Sequence, residues 1–363
     1  MRDFAFIQTA PHRVFVGWGP FEQLPFRRPE RPAFYVTDFF LDDPHPWRHP
    51  AEWSEMSVEE FAEACGSEAG RGESPPLHVD WQPAPNEEFA RLFHSARAAM
   101  ERGDFSKIVP IVFESGEANI DPRQSLISEL ASLPSGMWAY GYSYHSHGMI
   151  GATPELLFRS ERRGYATMAL AGTRPVARAE ELLHDTKELR EHRFVVDDIV
   201  RRLAPFGNLE LGPIGVMRLP NIAHLITPIY FAENGAEKMS FAEMIRRLHP
   251  TAALGVSPRN VAGDRWLREA DRGVKRRSFG APFGLEREDR SALAVVAIRN
   301  VQWHGTSLRV GSGAGLLPES QLEREVEELR QKRAQVKALF GLLSSVYPER
   351  SEGSGEQVAR TAR

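Results

Sequence analysis

Between Lys107 and Leu170 the chain carries a succession of short apolar runs, and a long segment with helical spacing follows them. Ile108–Phe113, Tyr140–Tyr144, Met149–Ile150, Leu156–Phe158 and Ala166–Leu170 are short, rich in β-branched and aromatic residues and bounded by turn residues, which is how strands read. The segment Ala179–Leu203 instead places Leu182, Leu183, Leu189, Val195, Val196, Ile199 and Val200 at mostly helical spacing, with Gly207 beyond it as a breaker, and predicts one long helix. Further strands are expected near 225–231, 293–298 and 307–310. A last helix is expected over 322–343, patterned through Val326, Leu329, Val336, Leu339 and Phe340.

The N-terminal part, residues 1–85, is rich in proline and aromatics, with an apolar run at Ala33–Val36 and an acidic helix expected over Ser57–Cys65. Glycine, serine and proline cluster between 69 and 85 and mark a connection between subregions. A helix with Phe89, Leu92, Phe93, Ala96, Ala99 and Met100 on one face then starts at Asn86, its expected N-cap, and stops at Gly103. The reading is therefore an N-terminal part, 1–85, a core, 86–345, and a polar tail, 346–363, expected to be disordered.

A net charge of -4 and a pI near 6.3 create no basic field, which argues against a nucleic-acid backbone as the main partner and leaves a small-molecule ligand. Cys65 is the only cysteine, so an intrachain disulfide or a cysteine metal cluster is impossible, and a reducing cytoplasm fits. The first residues lack the basic and apolar regions of a signal peptide, and no run of 18 apolar residues occurs, so neither export by that route nor membrane spanning is expected.

Two acidic pairs stand out. Glu188 and Glu191 lie three residues apart on the 179–203 segment, and Glu325 and Glu328 repeat that spacing on the last helix, with Lys332 one turn further on the same face. Magnesium takes hard oxygen ligands, so two such helices facing each other could hold it, although acidic pairs at this spacing are also common on solvated faces. The glycine-rich run Gly311–Gly315 lets backbone amides approach an anion, or makes a tight turn. Arg299 ends an apolar strand where it could bind a carboxylate in bidentate fashion. His224 and His249 are polar-site candidates, structural histidines being the commoner case.

Taken in order, Lys107-Ile108-Val109, Ile150 to Leu157 (IGATPELL), Leu170-Ala171-Gly172-Thr173, Lys187 to His192, His249-Pro250-Thr251, Ala297-Ile298-Arg299, Gly313-Ala314-Gly315 and Glu325 to Lys332 resemble the chorismate-utilising enzymes. That family includes isochorismate, salicylate and anthranilate synthases. The resemblance covers about residues 86–345 and implies an α+β fold, two packed, mainly antiparallel β-sheets enclosed by helices, with the active site in a cleft. It implies a monomer acting on chorismate with Mg2+. Glu191 and Glu328 would be direct metal ligands, with Glu188 and Glu325 reaching the ion directly or through water. Arg299, Lys332, Gly313 and Gly315 would hold substrate carboxylates, Gly172 and Thr173 would line the ring pocket, and His249 would contact the departing-group side.

Within the family, water-adding branches resemble this chain in having lysine where it has Lys107, and ammonia-using ones typically have glutamine. Ala171 stands where aminodeoxychorismate synthases often carry a lysine nucleophile. The resemblance thus favours isochorismate synthase, with salicylate synthase second and anthranilate-type amination or a silent chorismate binder behind. Isochorismate in this family feeds menaquinone, siderophore or salicylate formation. Lys107 would take a proton from water attacking C2 while Glu155 protonates the departing C4 hydroxyl. For that, burial or a nearby cation must make the lysine less basic, and burial must make Glu155 a weaker acid. The chain departs from the family at Val112, often arginine, at Phe279, often tyrosine, at Ala252 and Val256, and in the unusually basic Lys275-Arg276-Arg277.

Overall fold

The computed structural model describes residues 1–66, 76–234 and 239–342, so the tail from 346 lies outside the described residues. Strands β1 (Phe4–Ala10), β2 (Arg13–Leu24), β3 (Ala33–Val36) and β4 (Trp47–Ser57) open the chain, and helix α1 (Val58–Gly66) follows. After β5 (Val79–Trp81) comes α2 (Asn86–Glu101), whose N-cap position is Pro85 rather than the expected Asn86, with no side-chain cap. The run from Lys107 is divided at Pro110, which has no N–H to give a ladder, into β6 (Lys107–Ile108) and β7 (Ile111–Ala118). The two pieces join different sheets.

Helix α3 (Arg123–Ser128), β8 (Trp138–Tyr144), β9 (His147–Thr153), β10 (Leu156–Glu161) and β11 (Gly164–Pro175) come next. The single helix expected over 179–203 is two elements, a 3-10 stretch at Val176–His184 and α4 (Thr186–Leu203). The break falls at Asp185, whose carboxylate caps α4 by accepting from the N–H groups of Lys187 and Glu188. The remainder is β12 (Gly207–Leu211), β13 (Gly215–Arg218), β14 (Ile222–Glu233), α5 (Phe241–Leu248), β15 (Val256–Ser257), α6 (Val261–Val274), β16 (Pro282–Glu286), β17 (Ala292–Val296), β18 (Asn300–His304), β19 (Ser307–Gly313) and α7 (Leu322–Leu339).

Every strand pair is antiparallel. One layer runs β5-β7-β19-β18-β9-β8-β1-β2 and the other β4-β3-β16-β17-β10-β11-β14, with β12 and β13 both on the outer edge of β14. The two packed sheets of the expected α+β fold are hydrogen-bonded to each other along β2–β4, so the described residues form one 17-strand network. The register of that pair slips between Trp18 and Phe21, a bulge that bends it where the layers join.

Side chains alternate in direction along each strand, so each layer has two faces to cover. Ile7, Phe15 and Tyr140 from the first layer meet Phe34, Phe283 and Val295 from the second in an apolar seam. The outer face of the first layer packs Phe6, Val301 and Val310 against Phe61, Leu126 and Val336 of α1, α3 and α7. Phe231, Ile229 and Ala294 of the second pack against Val195 and Ile199 of α4 and Ile245 of α5. Burying each of the valine, leucine, isoleucine and phenylalanine side chains among these contributes about 1.5–3 kcal/mol. A separate cluster joins α2 and α6 to α7 beside the two-stranded sheet β6–β15. Helices α4 and α7 thus approach from different layers, which sets their acidic faces toward one another.

Candidate active site

A cavity lies where β11, α4, β19 and α7 converge, lined by Glu155, Gly172, Thr173, Glu191, His224, Phe279, Arg299, Gly313, Gly315 and Lys332 among others. At Gly172 the β11–β14 register slips, and the residue takes φ +79°, a conformation that favours glycine. A Cβ there would press on the backbone and side chain of Glu188. The bulge turns the Thr173 N–H toward Glu188 Oε2, which accepts it at 2.8 Å. Strand and helix are thereby clamped together.

Glu155 follows β9 and is 3% exposed; its Oε1 accepts from Thr251 Oγ1 at 3.1 Å. Burial pushes this carboxyl up to about 7, against the Thr251 hydrogen bond and the cations of Lys107, Lys332 and Arg299. Lys107, fully buried in β6, donates from Nζ to the Ala252 carbonyl at 2.8 Å and pairs with Glu191 at 3.2 Å. Acid and ammonium are therefore held by consecutive residues, Thr251 and Ala252. Lys107 stands behind Gly315, where a Cβ would collide with both Glu191 Oε1 and the Lys107 stem.

The four glutamates converge through lysines. Lys187 Nζ lies 3.0 Å from Glu325 and 3.5 Å from Glu188, and Lys332 Nζ lies 2.6 Å from Glu328 while donating to the Gly313 carbonyl. Burial pushes Glu188 and Glu325 up to about 7, helped by the Glu191 charge in the first case and the Glu328 charge in the second. Burial would raise Glu191 too, but Lys107, Lys187 and Lys332 outweigh it and hold that carboxyl below its usual range. Glu325 Oε2 is buried with no hydrogen-bond partner. Among the described residues no group of three or more His, Cys, Asp or Glu side chains stands close enough together to hold a metal ion as placed.

Arg299 takes φ +56° between β17 and β18, and its guanidinium reaches His224 Nε2 at 3.3 Å. Because the Gly172 carbonyl, 3.1 Å from His224 Nδ1, can only accept, Nδ1 carries the proton and Nε2 accepts from arginine. Burial, then the charges of Arg299 and Lys332, hold His224 well below the usual imidazole range, so it is neutral. His249 does not reach the cavity. Its Nε2 meets the Phe39 carbonyl at 2.6 Å and its ring packs on Phe39, while Ala253 and Leu254 of the same loop line the wall. His224 occupies the cavity instead, and its placement between Thr173 and Arg299 could have been read from strand alternation only with the β11–β14 pairing in hand. Thr251 and Lys187, given no role from sequence, are the other polar groups the geometry adds.

The cavity thus gathers Arg299 and Lys332 beside Glu155, a buried carboxyl raised to about 7. A family model described as "Chorismate binding enzyme" matches residues 31–341, and the chain belongs to that family. Isochorismate synthase MenF of Haemophilus influenzae is 28% identical over 285 residues, 73% of this chain and 63% of that protein. Anthranilate synthase component 1 of Methanothermobacter marburgensis is 28% identical over 225 residues, 57% of this chain and 48% of that one. The chain thus spans less than two thirds of the length of either relative. The structure of MenF, the menaquinone-specific isochorismate synthase of Escherichia coli, shares the fold, with a TM-score of 0.74, 20% identity, and coverage of 94% of this chain and 89% of that one. Among the described residues no helix is long and apolar enough to cross a membrane.

Proposed function

We propose that the chain is an isochorismate synthase, adding water at C2 of chorismate with loss of the C4 hydroxyl. The observation that carries this reading is Glu155, a buried carboxyl raised to about 7 and held on Thr251 beside the residue that fixes Lys107. Glu155 gives its proton to the departing hydroxyl. Lys107 is the group placed to accept the proton of the attacking water, completing the exchange of one hydroxyl for another. Arg299 and Lys332, with the amides of Gly313 and Gly315, hold the substrate carboxylates, and Gly172 and Thr173 border the ring.

Glu188, Glu191, Glu325 and Glu328 would hold Mg2+. The donor set fits, because four carboxylates supply hard oxygens, Glu325 Oε2 lacks a partner, and the charges of Glu191 and Glu328 help raise Glu188 and Glu325, a repulsion that a cation relieves. Bound there, the ion would neutralise a substrate carboxylate and favour its fixed orientation. The test is a mass-resolved product assay with chorismate and magnesium, with and without ammonium. An ammonium-independent product isobaric with chorismate is expected. Salicylate with pyruvate would replace this reading by salicylate synthase, ammonium-dependent product by amination, and binding without turnover by a silent chorismate binder.

A further inference from the structure

We infer that the cleft between the 275–278 segment and the face formed by β9, β18 and β19 is a second anion-binding site, separate from the catalytic cavity and suited to a small di- or trianion bearing phosphate or several carboxylates. The cleft has a volume of about 590 Å³, within the range of about 300–1,000 Å³ usual for small-molecule sites. Its cations are Arg277 and Arg309, and it is also lined by His147 and His304, which face each other across the β9–β18 pair.

Neither arginine has a carboxylate partner among the described residues. Arg309 spends Nε and Nη2 on Gln302 Oε1 and Nη1 on the Lys275 carbonyl, with its plane over Phe113 at 4.2 Å. Burial, then the neighbouring Arg277 charge, push it down to about 10. Two like charges therefore share a half-dry cleft with no carboxylate paired to either among the described residues, a configuration an anion would relieve. The one carboxylate lining the cleft, Glu117, is engaged by the hydroxyls of Ser307 and Thr306 rather than by either arginine.

The loop is built to present Arg277. Lys275 and Arg277 both take positive φ, 51° and 50°, and between them the buried Arg276 is anchored on Asp271 and stacked over Phe39 at 4.0 Å. Anchoring Arg276 inward leaves Arg277 pointing outward, toward Arg309. The basic Lys275-Arg276-Arg277 run, which the catalytic cavity does not use, is thus divided between structure and cleft.

Isothermal titration of the full chain with pyrophosphate and, separately, with citrate, at constant ionic strength, tests the assignment. Saturable binding of at least one anion is expected; which of the two binds more tightly distinguishes a phosphate site from a polycarboxylate site. Arg277→Ser, at an exposed loop position, and Arg309→Gln should each weaken it at least tenfold while leaving chorismate affinity within twofold. Arg277→Ser guards against misfolding from the more packed Arg309. Absence of saturable binding for both anions would overturn the assignment. So would binding that survives Arg277→Ser and disappears with Arg299→Gln, which would place the anion in the catalytic cavity.

Discussion

Replacing Glu155 by glutamine separates what this carboxyl does for turnover from what it does to stability. The glutamine amide keeps the shape and can still accept from Thr251 Oγ1, but it never ionises and has no acidic proton to give. The folded protein holds the Glu155 proton more tightly than the unfolded chain does, since burial raises it from 4.5 to about 7. The native protein therefore loses stability as pH rises from about 4.5 to 7 and carries the whole penalty above 7, about 3 kcal/mol in magnitude. Urea unfolding of both proteins without magnesium should show Glu155→Gln gaining about 2–3 kcal/mol on the native chain between pH 5 and pH 8. Turnover should meanwhile fall about 10²- to 10⁴-fold, the usual worth of a positioned general acid. A stability difference that stays flat with pH would refute the buried-carboxyl argument. Turnover within tenfold of native would remove Glu155 as the acid.

Lys107→Ala should nearly abolish turnover and leave chorismate binding largely intact, and it should destabilise the fold by about 3–5 kcal/mol because Glu191 loses its buried partner; unchanged kcat in steady-state assays would dismiss the base. Gly315→Ala pushes a Cβ into Glu191 and Lys107, so chemical denaturation should read a loss of about 1–3 kcal/mol, and kcat should drop with it. Magnesium affinity, measured by titration calorimetry, should be weaker at pH 6 than at pH 8, since Glu188 and Glu325, raised to about 7, must release protons to bind an ion; a flat profile would speak against those two as ligands. Asp185→Ala should cost about 0.5–2 kcal/mol in thermal or urea unfolding through loss of the α4 cap.

Much of this was readable from residue order, and the failures have local causes. Short apolar runs bounded by turn residues located β8 to β11, β14 and β19, and a period-3.6 pattern located α7. The same patterns missed the breaks at Pro110 and Asp185, since apolar spacing continues across both and only an absent N–H or a side-chain cap stops the element. The i, i+3 pairs predicted that Glu188 with Glu191, and Glu325 with Glu328, share faces; that the faces meet depends on helices attached to different layers, which no local pattern encodes. His249 shows the opposite error: a polar residue in a family motif turns inward to a backbone carbonyl, and the neighbouring Thr251 reaches Glu155 instead.

The hydrogen bonds that join the two layers also impose an order on synthesis. Strands β1 and β3, made first, pair with β8 and β16, and the β3 partner is about 250 residues further along the chain. Until β16 leaves the ribosome, β3 presents a bare apolar edge, and contacts so distant in sequence are slow to form. An N-terminal segment that contributes no side chain to the proposed chemistry thus determines how long the nascent enzyme remains exposed to aggregation.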